Sequence, residues 1–471
     1  MCGPSFLWRP HFDRLRTTPS SPDSVRFAAQ DGARRHRSIE CALLPCRAPP
    51  KVRNLSKPSG LFASLAKLRA FEAMRHRGYR LTSYGHAANS LGGWMDEVTR
   101  GWLIYQLTDS VLQLGLIRGI QAIPLFFLAP VAGSVADRYS RKGQLVIAQG
   151  VNALIFAITA LLVVTDLIRP WHLYVTAFLV ASSQVFQQPS RGALISDMVP
   201  QALITNAIGI YAIIFNISRS LGPAIAGAVI VLAGTGSAFW LQALLLGAAT
   251  VWTMAIPEPK TAKPAPGAPA RVSFVTSIVE GWRFSWQNET VRAGLTCTML
   301  ASLLIAPFTA LLPVFARDLL HVGASGQGLL LTAMGGGALV SAALIASAGH
   351  RLPRGMVMLV STMVYGLTII AFAASEWFAL SLALMALVGL CHVHSNGLIM
   401  TIIQTYTPKE LRGRTMSIFM MNQVLVTLGA MLFGALADGL GPRTAVAAMG
   451  TIGFAAIVAM YIGMPWAKKI K

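Results

Sequence analysis

Apolar runs of about 20 residues, long enough to cross a hydrocarbon core, alternate along the chain with short polar turns. They predict helices over 83–107, 112–131, 144–164, 171–187, 204–232 and 238–256, and again over 291–315, 325–348, 355–374, 377–402, 415–437 and 444–464. Pro257 to Pro269, rich in Pro, Ala and Lys, reads as a semi-rigid linker between two sets of six. After it, Phe274, Ile278, Trp282 and Trp286 recur every four residues around Glu280 and Arg283, predicting an amphipathic helix on a membrane surface. Residues 1–73 show no such period and are expected to form a disordered, basic tail. Met74 opens the compact basic run Met-Arg-His-Arg-Gly-Tyr-Arg and is a candidate start. The fold class expected is an all-α membrane protein of twelve transmembrane helices. Residues 74–256 would form one six-helix bundle, 257–290 the linker and amphipathic helix, and 291–471 the second bundle. Such a repeat is the layout of transporters that bind near the bilayer midplane between their halves.

Composition agrees with a membrane protein: 54% of the 471 residues are hydrophobic and 12% charged. A net charge of +21 in a soluble protein would point to nucleic acid, so the placement of the cations decides. If the chain starts in the cytoplasm and crosses twelve times, nearly all the lysines and arginines fall on the cytoplasmic side. The exceptions are Arg169, Arg317 and Arg443 in outer turns and Arg100, Arg118 and Arg219 within spans. This asymmetry places both termini in the cytoplasm and leaves no basic face for nucleic acid. Cys2, Cys41, Cys46, Cys297 and Cys391 form no disulfide framework, and Cys41 with Cys46 lacks the further ligands a metal needs. No phosphate-binding Gly-x-x-x-x-Gly-Lys-Ser/Thr run is present, and no nucleophile and base stand at a recognisable spacing. Neither a cofactor nor an enzyme activity is expected.

Charges inside spans are functional candidates because the bilayer makes them costly. Asp96, Glu97 and Arg100 lie midway along the first span, four and three residues apart, so either acid can pair with Arg100. Arg219, near the middle of the fifth span, can take the other acid across the bundle. A carboxylate that exchanges a cation for a proton would couple proton flow to conformation; a fixed ion-pair network is the alternative. Arg118 lies near the end of the second span and reads as snorkelling to the outer surface. His392 and His394 sit about 200° apart on one helix, so at most one faces the pathway. Asn216, His392, Asn396, Asn422 and Gln423 are candidate cavity groups, or polar contacts that join helices.

Between the second and third spans, Gly133, Asp137, Arg138, Arg141 and Lys142 form a charged loop that resembles the Gly-x-x-x-Asp-Arg-x-Gly-Arg-Lys pattern of the major facilitator superfamily. Ser140 replaces its second glycine, a cost if that position needs a positive φ. The loop of the second half, Gly349 to Gly355, keeps cations without the Asp. Gly209, Gly222, Pro223 and Gly227 resemble the superfamily's antiporter pattern, a kinked small-residue face, with Ser218 and Ala226 in place of two glycines. Gln187 to Gly192 and Thr407 to Arg414 resemble the enterobactin-exporter and multidrug-efflux branch.

The resemblance implies a monomeric transporter in a bacterial inner membrane that exports a small amphipathic molecule, drug or siderophore-like, in exchange for protons. Asp96, Glu97, Arg100 and Arg219 would carry coupling, and the 133–142 loop would be the cytoplasmic gate. Proton-coupled solute uptake, or a membrane sensor that binds a partner through its basic tail, are the rival expectations.

Overall fold

The computed structural model describes residues 69–257, 274–348, 353–408 and 411–470. The tail through residue 68, the linker at 258–273 and the second-half loop at 349–352 lie outside the described residues.

All regular structure among the described residues is helical. In chain order the helices are α1 (Arg77–Thr108), α2 (Val111–Arg138), α3 (Arg141–Val164), α4 (Pro170–Met198) and α5 (Ile204–Met254). After the linker come α6 (Phe274–Gln287), α7 (Glu289–Leu304), α8 (Gly323–Ala348), α9 (Arg354–Ala374), α10 (Phe378–Tyr406), α11 (Arg412–Met420), α12 (Asn422–Leu440) and α13 (Pro442–Gly463). Nine helical stretches among the described residues are long and apolar enough to cross a membrane. α1 and α4 are not among them, although at 32 and 29 residues they have the length. Their composition is too polar, and many of their polar groups are buried in the protein. α1 buries Thr82, Ser83, His86, Ser90, Asp96, Thr99 and Arg100.

α5 spans 51 residues, which as a straight rod would measure about 76 Å, over twice the hydrocarbon thickness. It breaks at Gly234, whose φ of 83° and ψ of 166° are open to glycine alone. On one limb Gly222 lies against Leu91, Trp94 and Met95 of α1, and on the other Gln242 and Leu246 lie against Gly92. Positions equidistant from Gly234 thus meet the same turn of α1, so the chain folds back on itself there.

Several boundaries differ from those expected. The stretch 133–143 is not a loop: α2 stays helical through Arg138, and only Tyr139 and Ser140 separate it from α3. Ser140 needs no positive φ (−55°), and its Oγ accepts the Gly143 N–H at 3.2 Å as the N-cap of α3, a task glycine cannot perform. α4 continues through the polar segment to Met198, past Pro189. Arg191 donates to Gln187 one turn back (2.7 Å) and Ser190 to Gln144 of α3 (2.7 Å), so this stretch turns its polar groups toward the protein. The seventh span ends as a regular helix at Leu304, and Pro307 and Pro313 divide its continuation into short turns as far as Leu319. The eleventh is interrupted at Met421 into α11 and α12.

Close approach through small residues builds the packing. After the linker, Gly337 and Gly389 place α8 and α10 backbone against backbone. Helices before and after the linker meet where Gly115 and Gly434 let α2 touch α12, and where Gly227, Gly328 and Gly335 let α5 touch α8. Thr332 of α8 also donates to the Ser220 carbonyl at 2.9 Å. These contacts lie from mid-height toward the Asp109 end of the bundle. At the Arg141 end the ties stay on one side of the linker: Arg141 with Asp197 (2.7 Å), Lys142 with the Ile256 carbonyl (2.6 Å), and Arg414 with Glu280.

A side chain at Gly389 would strike the Met334 carbonyl. Overpacking of this kind costs about 1–3 kcal/mol. Gly389→Val should lower the thermal transition of purified protein by several degrees, whereas Gly336→Ala, which faces open space, should leave it unchanged.

Candidate functional site

The middle of α1 concentrates the charge. Asp96 and Arg100, one turn apart, pair through Arg100 Nε at 2.9 and 3.1 Å. Arg100 Nη1 continues to Thr176 Oγ1 (2.8 Å) and the Leu173 carbonyl (3.3 Å) of α4, and the guanidinium lies 5.8 Å from the Phe156 ring of α3. With Asp96 8% and Arg100 2% exposed, this pair is a buried strut across three helices.

Glu97 follows Asp96 by about 100° of helix rotation and faces α2. Its partner is Arg118, which also approaches the Glu97 carbonyl at 3.5 Å and Gln121 at 3.4 Å. Arg118 therefore does not snorkel outward, and Arg219 does not take the second carboxylate. The Glu97 side chain remains 39% exposed and that of Arg118 23%. Arg118 lies between Gly115 and Gly119, the positions at which α2 meets Ala430 and Met431 of α12.

Arg219 is half-buried on α5 with its guanidinium 5.7 Å from the Trp94 ring, and that ring meets Phe215 edge-on at 5.7 Å. It makes no ion pair or hydrogen bond among the described residues. From the helices beyond the linker, Tyr365 and His392 lie within range of its charge. Tyr365 is 1% exposed, its hydroxyl has no hydrogen-bond partner, and its ring stands edge-on to His392 at 5.5 Å. Asn396 lies 3.4 Å from the His392 ring and accepts from Thr298 at 3.1 Å, whereas His394 turns to Ser341 of α8 at 3.2 Å. Asn216 donates to its own helix at Ala212 (2.8 Å). Asn422 and Gln423 open α12, half-buried and exposed. On the α5 face Gly222, Pro223 and Gly227 are packed against other helices, while Gly209 faces open space.

Of the 133–142 group, Arg141 and Lys142 tie α3 to the ends of α4 and α5, while the surroundings of Gly133 and the side chains of Asp137 and Arg138 lie outside what the structure describes. Sequence reasoning missed two clusters. At the Asp109 end, Arg317 binds Asp109 (2.6 Å), approaches Asp318 (3.6 Å) and covers the Tyr105 ring, and Tyr105 donates to Asp318. This joins the end of α1 to the turns after α7. Near the other end His86 stacks on Tyr211 at 3.9 Å and contacts Ser90 (3.1 Å) and Arg191 (3.5 Å). Each draws on residues more than 100 positions apart, so no local signal marks it.

A family model described as transmembrane secretion effector matches residues 69–469. The multidrug efflux pump Tap of Mycobacterium tuberculosis (strain ATCC 25618 / H37Rv) is 26% identical over 74% of this chain and 84% of its own length. The enterobactin exporter EntS of Citrobacter koseri (strain ATCC BAA-895 / CDC 4225-83 / SGSC4696) is 27% identical over 75% and 83%. Among solved structures the nucleoside transporter NupG superposes with a TM-score of 0.66, covering 82% of this chain and 99% of that one at 15% identity, a likeness of fold.

The two carboxylates should separate in stability measurements. Asp96→Asn leaves Arg100 buried without a counter-ion, a loss of about 3–5 kcal/mol. Glu97→Gln, at the more exposed pair, should cost about 1 kcal/mol or less. Thermal unfolding of the two variants, scored against wild type, should therefore rank Asp96→Asn as much the less stable.

Proposed function

We propose that this chain, which belongs to the transmembrane secretion effector family of the major facilitator superfamily, exports a small amphipathic molecule across a bacterial inner membrane in exchange for protons. It is a transporter of the efflux and siderophore-export branch and not an enzyme. The names of Tap and EntS support export as the direction and a drug or siderophore-like molecule as cargo. Twelve crossings follow if α1 to α4, the two limbs of α5, α7 with its continuation, α8, α9, α10, α11 with α12, and α13 each span once. Six then precede the linker and six follow it, both termini are cytoplasmic by the distribution of lysine and arginine, and one chain holds a complete pathway as a monomer.

In that orientation the Asp109 end faces outward and is closed by the Gly115, Gly227 and Gly328 contacts and the Arg317 cluster. The observation that carries the coupling is the Glu97–Arg118 pair, placed on the stretch of α2 that touches α12. With Glu97 ionised, Arg118 is held to α1 and the outer contact stays shut. A proton on Glu97 removes the charge, releases Arg118 and loosens α2 beside α12, so the carboxylate cannot keep both its proton and the closed arrangement. Asp96 and Arg100 hold α1 against α3 and α4 while this happens. Arg141 and Lys142 anchor the inner ends that must move when the cytoplasmic side closes.

Inside-out vesicles with an acidified lumen and a pH-sensitive dye test this reading. A panel of cationic drugs, macrolides and catechol siderophores should include compounds that dissipate the gradient, and Glu97→Gln should abolish that loss at equal protein level. Dissipation that survives Glu97→Gln would remove the pair from coupling. Silence across the panel, in vesicles shown to hold folded protein, would overturn proton antiport of these compounds.

A further inference from the structure

Arg219 differs from the other arginines inside the helices. Arg100 has Asp96, Arg118 has Glu97, and Arg191, also without a carboxylate, is engaged by Gln187 at 2.7 Å. Among the described residues Arg219 has only the Trp94 face, a contact too weak to replace hydration or a counter-ion at that depth. Within range of its charge, on α9 and α10, the Tyr365 hydroxyl is buried without a partner among the described residues, beside a His392 ring that Asn396 holds. These groups come from α1 and α5 on one side of the linker and α9 and α10 on the other, at the level where Ser220, next in sequence to Arg219, meets Thr332 and Gly335 of α8. A cation, an unused hydroxyl and an aromatic wall of Trp94 and Phe215 thus converge with no anion among them.

We infer that this constellation is the recognition site for an anionic group of the transported molecule, a carboxylate or comparable oxyanion carried on a flat aromatic frame. The inference rests on the export reading and sharpens it. Arg219 neutralises the oxyanion, the Tyr365 hydroxyl donates to it, and the frame lies along Trp94 and Phe215. Because the donors come from both sides of the seam, a bound anion draws α9 and α10 toward α5. Cargo is thereby sensed by both parts of the fold at once.

The test uses two fluorescent probes with the same aromatic frame, 8-anilinonaphthalene-1-sulfonate and the uncharged N-phenyl-1-naphthylamine, bound to the full chain in lipid nanodiscs with empty nanodiscs subtracted. Wild type should bind the sulfonate at least about tenfold tighter than the amine. Arg219→Gln should erase that preference, Arg219→Lys should retain part of it, and Tyr365→Phe should weaken the sulfonate a few-fold. Equal affinity of wild type for both probes, or a preference that survives Arg219→Gln, overturns the anion site. Efflux of the amine from cells expressing the wild-type chain separates the two readings. If efflux persists while the sulfonate preference is absent, the anion site fails and export stands; if efflux and binding of both probes are absent, both fail.

Discussion

A charge in the middle of a membrane helix costs roughly 3 kcal/mol unless another group compensates it, and the architecture around α1 answers that cost. Asp96, Glu97 and Arg100 fall within five residues, yet the turn of the helix sends the two acids to different neighbours. Asp96 closes on Arg100, which in turn holds Thr176 and the Leu173 carbonyl. Glu97 needs a cation from α2 and finds Arg118. Adjacent carboxylates therefore differ in kind: one is sealed within a three-helix strut, and the other stands partly open beside the contact of α2 with α12.

Lipid is as apolar as the side chains that pack in it, so close approach and polar contacts must hold the helices together. The glycines supply the approach. Where α2 meets α12 and α5 meets α8, backbone touches backbone, and the Arg317 cluster adds charge pairing at the same end. Contacts of this sort are specific in shape and modest in energy. Among the described residues, the ion pairs at the Arg141 end bind neighbours on the same side of the linker.

Against this background Arg219 stands out as the charge left uncompensated. Arg100 and Arg118 each pair with a carboxylate, whereas Arg219 lies against the aromatic wall of Trp94 and Phe215.

Length and apolarity of the runs, with the cations gathered between them, were enough to assign an all-helical membrane protein and the existence of most helices, and the residue pattern at 133–142 carried the resemblance to its superfamily. Those properties are local and additive along the chain. Element ends were less legible, because they depend on what a residue meets: Ser140 as a cap, Gln144 holding Ser190, and Pro307 and Pro313 each opening a short turn in one span. The spacing of Asp96, Glu97 and Arg100 named the candidates while leaving the pairing open, since two acids lay within reach of one arginine. Only the tertiary structure chose Asp96 for Arg100, Arg118 for Glu97 and no carboxylate for Arg219. The reason is that a partner is selected by which helix packs alongside, and the pattern of any one helix does not carry that information.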